Sequence, residues 1–164
     1  MFVYSIKSKQ IKLMLLILFV VVSVVCLFVL ARDSEETVDK NGTLTVKAAT
    51  HEERMGFLSQ FGWEIDEEPI EVTEVIIPAE FDDVYTNYNA IQTAQGFDLT
   101  VYAGMRVKRW TYAVKNYVGY ENKNCVRANV LVYNGNVIGG DVCSVELDGF
   151  MHGFEMPNTD TKGT

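Results

Sequence analysis

Leu13 to Ala31 is a run of 19 residues without a charged side chain, and no other stretch restricts the fate of this chain so strongly. As a helix it rises 1.5 Å per residue and spans roughly 28 Å, near the hydrocarbon thickness of a bilayer. Lys7, Lys9 and Lys12 precede the run, whereas Arg32 follows it among Asp33, Glu35 and Glu36. The positive-inside rule then predicts a cytoplasmic N-terminus over 1–12, a single transmembrane anchor over 13–31, and the rest of the chain outside the cell membrane. The rival reading is a secretory signal cleaved after Ala31, because Val29-Leu30-Ala31 suits a signal peptidase. The run exceeds the ~7–15 residues of a usual signal core, which favours an uncleaved anchor.

Charge narrows the partners. The chain carries 14 Lys+Arg against 22 Asp+Glu, a net charge of −8. Residues 1–31 hold three of the Lys and none of the acids, so the remainder has 11 basic and 22 acidic residues. Counterion release from nucleic acid needs the opposite balance, so no nucleic-acid partner is expected.

Past the apolar run, 32–49 is polar and reads as a stalk, and 50–156 reads as one α+β domain followed by a flexible C-terminus at 157–164. Thr50 and Glu53 have capping-box spacing, which starts a helix near 51–61 that Gly62 ends. Ile70–Ile77 is β-branched between Pro69 and Pro78 and reads as a strand. A second helix is expected near 80–95, with Phe81, Val84, Tyr85, Tyr88 and Ile91 as its apolar stripe. Strands follow over 106–117, 126–132 and 137–147, with a short one over 99–102. The order suggests two helices packed on one face of an antiparallel sheet of about four strands.

The last strand pair carries its own register signal. A three-residue loop at Tyr133-Asn134-Gly135 pairs Val130 with Ile138, Ala128 with Gly140 and Val126 with Val142, making one face wholly apolar or small. A two-residue Asn134-Gly135 turn mixes the faces instead. The first register sets Cys125 opposite Cys143 at a non-hydrogen-bonded position, within disulfide range. Two free thiols are the other reading, and a bulge at Gly139-Gly140 would spoil the count.

Gly62-Trp63-Glu64-Ile65, Glu71 to Pro78 leading into Phe81-Asp82-Asp83-Val84-Tyr85, and Gly96-Phe97-Asp98-Leu99 resemble parts of one bacterial family. Val107 to Tyr112, Leu131-Val132-Tyr133, Val137 to Ser144 and Leu147 to Gly153 continue the likeness. It is similar to a family of short membrane-anchored proteins from clostridia and their relatives, a domain of unknown function. The resemblance covers about 51–156 and implies an architecture without an activity.

Catalytic signatures are missing: the sequence has no G-x-S-x-G, no phosphate-binding glycine loop, no H-E-x-x-H and no C-x-x-C. No catalytic, cofactor-binding or metal-ligating residue is assigned. Asp148, His152 and Glu155 form a weak polar cluster in a glycine-punctuated tail, the sole basis for an enzyme acting on cell-wall or peptide substrates. Nine acids lie between Glu64 and Asp83 with no base among them. Strand alternation puts Arg106, Lys108, Trp110 and Tyr112 on one side, a candidate binding face for an anionic cell-wall polymer through charge and stacking. The plainer reading buries Trp110 and Tyr112 and pairs the basic groups with the acidic stretch. The function expected is a non-catalytic, envelope-associated binding or accessory protein, with an envelope protein or cell-wall polymer as partner. A protease-inhibitor-like module is an alternative resting on fold analogy.

Overall fold

The computed structural model describes residues 44–121 and 123–157. The anchor expected at 13–31 and the C-terminal residues from 158 lie outside them.

Thr50 opens helix α1 (His51–Ser59) with both halves of the capping box in place. Strand β1 (Glu71–Ile76) follows, then helix α2 (Asp83–Ala94), capped by the Asp82 carboxylate on the Tyr85 N–H. A 3-10 turn (Leu99–Tyr102) leads into β2 (Arg106–Ala113), β3 (Val126–Tyr133), β4 (Asn136–Ser144) and β5 (Met151–His152). The five strands form one antiparallel sheet in sequence order. Before α1, Val46 and Ala48 hydrogen-bond across to Val137 and Gly135, so the chain is tied to the sheet ahead of the first helix.

Three features correct the sequence expectation. The sheet has five strands, since the glycine-punctuated tail contributes β5. Leu99–Tyr102 is a 3-10 turn, its start fixed by the Asp98 carboxylate on the Thr100 N–H. The helices cover opposite faces. Phe57 and Leu58 of α1 pack with Tyr112, Ala128, Val130, Val142 and Phe154, whereas Tyr85 and Tyr88 of α2 pack with Val107, Leu131 and Ile138. Alternation along β2 and β3 puts those two sets on opposite sides of the sheet. Among the described residues, which begin after the apolar run, no helix is long and apolar enough to cross a membrane.

The β3–β4 hairpin also departs from the expected register. Asn134 and Gly135 both have positive φ, +48° and +75°, the geometry of a two-residue type I′ turn. Tyr133 therefore pairs with Asn136 and Val132 with Val137. A bulge then absorbs Ile138, and beyond it Val130 faces Gly140, Ala128 faces Val142 and Arg127 faces Cys143. The extra residue undoes the mixing of faces that the tight turn creates. Val137 thereby joins the α1 side and Ile138 the α2 side, the reverse of the expected placement, and the α1-side face stays apolar. Gly140 has no room for a side chain, because a Cβ there would sit 2.1 Å from the Asn129 carbonyl oxygen and 2.5 Å from Phe154.

Candidate functional site

Arg106, Lys108, Trp110 and Tyr112 do share one side of β2, and burial rises steadily along them. Arg106 and Lys108 are exposed, Trp110 is half-buried and Tyr112 is fully buried. The cause is the length of α1. Nine residues reach only about 13 Å, so the helix covers the Tyr112 end of the sheet and leaves the Arg106 end open. What remains is a groove of about 400 Å³, lined by Arg54, Glu74, Arg106, Lys108 and Trp110 and closed by Ala48–Ala49 and the β3–β4 turn. Tyr112 lies beneath it as support.

Arg54 is the residue the sequence reading missed. It is 4 % exposed. Its guanidinium lies 3.5 Å over the Trp110 ring. Nε donates to the Tyr112 hydroxyl at 3.0 Å, and Nη1 donates to the carbonyls of Ala48 and Ala49 at 3.0 and 3.1 Å. Every acceptor is neutral. Among the described residues no carboxylate pairs with Arg54. A buried cation without a counter-ion is costly, and the ring face offsets part of that, with desolvated cation–π contacts worth about 2 kcal/mol. One signal was available in the sequence. Arg54 follows the Thr50 cap by four residues and precedes Leu58 by four, which places it on the buried stripe of its helix.

The acidic stretch does meet part of the basic strand. Arg106 pairs with Glu74 at 3.2 Å, Arg109 with Glu71 at 3.1 Å, and Lys115 with Asp66 at 2.6 Å. All are open to solvent and each is worth little. Lys108 faces Glu74 across β1–β2 and, among the described residues, forms no ion pair. The groove thus gathers three cations against one carboxylate, in a chain of net charge −8.

Asp148, His152 and Glu155 are not brought together. Asp148 and Glu155 are exposed, and neither hydrogen-bonds the imidazole. His152 lies among Trp63, Tyr117 and Phe150, with Nδ1 2.6 Å from the Gly153 carbonyl and Nε2 3.1 Å from the Tyr117 hydroxyl. A carbonyl only accepts, so network logic puts the proton on Nδ1 and makes Nε2 the acceptor from Tyr117. Among the described residues no group of His, Cys, Asp and Glu could hold a metal ion.

Cys125 and Cys143 are both free. The register moves Cys143 opposite Arg127, and the two thiols lie on different sides of the sheet: Cys125 belongs to the α1-side core, whereas Cys143 Sγ accepts from Asn129 Nδ2 on the other face. That second face carries a polar chain. Thr111 donates to Asn129 Oδ1 at 2.8 Å, Asn129 Nδ2 donates to Asp141 Oδ2 at 2.9 Å, and the Tyr88 hydroxyl donates to Asp141 Oδ1 at 2.9 Å. Burial holds the Asp141 carboxyl above the usual carboxylate range, against the pull of Asn129 and Tyr88. Burial, helped by the Asp141 charge, pushes the Cys143 thiol up to about 12. A thiol so reluctant to ionise is no nucleophile. The chain of bonds ties α2 to the sheet, as does Gln92, whose Oε1 accepts the Gly140 N–H at 2.7 Å.

Fold and site together define an α+β module with one helix on each face of a five-stranded antiparallel sheet and a cationic groove at the end that α1 leaves uncovered. Residues 57–142, just over half of the chain, match a family described as a domain of unknown function, DUF4830, and the chain belongs to it. Arg106, Lys108, Trp110 and Tyr112 fall within the matched span, and Arg54 lies three residues before it. No curated protein matches the chain, and no solved structure does.

Proposed function

We propose that this protein is a non-catalytic binding module of the cell envelope, from a clostridial or related Gram-positive bacterium. In this reading the apolar run at 13–31 holds the chain in the cell membrane, with the domain on the outer side. The groove beside β2 then takes an anionic cell-wall polymer. The observation that supports the ligand class is the groove itself, which gathers Arg54, Arg106 and Lys108 against Glu74 alone in an otherwise acidic chain. Location is supported by the 19 uncharged residues and by the three Lys on their N-terminal side.

Two experiments test the two halves. Protease added to intact cells should remove the domain while cytosolic markers survive; a domain that stays intact puts it on the wrong side. The purified full-length chain in detergent should sediment with isolated cell-wall polymer, and that binding should weaken steeply between about 50 and 200 mM salt, as for other polyanion contacts. Binding that ignores salt would refute a charge-based groove.

A further inference from the structure

The groove is read above as a polymer site; its floor specifies which chemical group is recognised. Stacking of a sugar needs an open aromatic plane, and on Trp110 the Arg54 guanidinium already lies 3.5 Å over the ring. What the ring supports is a cation. Three of that cation's donor contacts are spent inside the protein, Nε on Tyr112 and Nη1 on the carbonyls of Ala48 and Ala49. Nη2 has no hydrogen-bond partner among the described residues. It is also not one of the fully buried orphan atoms, a condition found among them only for Arg109 Nε, and Arg54 is one of the residues that line the groove. Lys108 lines the same groove without an ion pair among the described residues, and Arg106 is shared with Glu74.

We infer that the groove binds an oxyanion, a carboxylate or a phosphate, end-on to Arg54 Nη2. Lys108 supplies the second positive charge, and Glu74 opposes the ligand. The physical reason is that a desolvated guanidinium lacking a counter-ion gains most from a charge-assisted hydrogen bond, which is shorter and stronger than a neutral one. Neutral sugar surface gains nothing comparable there. Trp110 and Tyr112 are positioning residues, one backing the guanidinium and the other fixing its Nε.

The test uses the full-length chain in detergent, with inorganic phosphate, acetate and a neutral oligosaccharide as probes, read by calorimetry and tryptophan fluorescence. Phosphate or acetate should bind and the neutral oligosaccharide should not; the stronger of the two anions tells a phosphodiester source from a carboxylate source. Lys108→Gln should weaken anion binding about three- to tenfold, and Glu74→Gln should tighten it by a similar factor. Glu74 is exposed, so its variant keeps the inference falsifiable even if Arg54→Gln fails to fold. Equal binding of the neutral oligosaccharide, or unchanged anion affinity in both exposed variants, overturns it. If the isolated polymer binds while phosphate and acetate do not, the polymer reading stands and this inference falls. If none of the three binds, both fall.

Discussion

Removing one oxygen atom beneath the groove measures how firmly Arg54 is held. In Tyr112→Phe the ring keeps its shape and its place in the core, where Tyr112 is completely buried, and the bond from Arg54 Nε at 3.0 Å is lost. No cavity large enough for a water is made, so the donor stays unsatisfied. A hydrogen bond to a charged group contributes about 1.5–3 kcal/mol, and here the three other supports of the guanidinium remain in place. We therefore expect a loss of about 2 kcal/mol. For a domain of this size that lowers the melting temperature by roughly 6–10 °C. The assay is thermal and urea unfolding of the full-length chain, followed by circular dichroism. The control is Tyr133→Phe, whose hydroxyl has no hydrogen-bond partner among the described residues; it should shift the midpoint by less than about 2 °C. A Tyr112→Phe shift no larger than the control's would refute the reasoning, since Arg54 would then be held by Trp110 and the carbonyls alone.

Gly140→Ala should cost about 3 kcal/mol or more, because its Cβ would meet the Asn129 carbonyl at 2.1 Å in a strand that cannot yield; near-normal urea stability would contradict the hairpin register. Asp141→Asn tests the buried carboxyl. Its folded pKa is raised, so its contribution to stability is full below the unfolded pKa and is lost as pH rises through the folded value. The variant should accordingly gain on the wild type from acid to neutral pH, and parallel stability–pH curves would count against that assignment. Cys143, pushed up to about 12 from 9.0, should hold about a thousandfold less thiolate than an unperturbed thiol and should be alkylated correspondingly slowly in the folded protein. The comparison is with the same residue in urea, and fast alkylation of the native chain would show the thiol to be unburied.

Local signals in the sequence were reliable where the partner lies within a few residues. Thr50 and Glu53 specified the start of α1, Gly62 its end, and β-branched content between two prolines specified β1. The side of β2 that carries Arg106, Lys108 and Trp110 followed from alternation alone, and it lines the groove. Longer-range pairing was less legible. The hairpin turn and its bulge each moved the register by one residue, and the two shifts compound. Val126, Ala128, Val130 and Val142 were therefore anticipated on one apolar face, while Val137 and Ile138 exchanged sides and the partner of Cys143 was off by two positions. Arg54 was passed over for a related reason. A buried arginine looks the same in sequence as a solvated one until its ring support and acceptors, more than 50 residues away for Trp110 and Tyr112, are in place.

By itself the sequence determined the acidic balance, the apolar N-terminal run, the α+β class and the face of β2 on which the cations stand. Each is a property of composition or of short periodicity, encoded within a few residues. Only the tertiary structure decided that the two helices take opposite faces, that α1 is too short to cover β2, and that a buried arginine closes the floor of the gap. Those outcomes depend on which distant surfaces fill each other's space, and packing of that kind is settled by the whole chain at once.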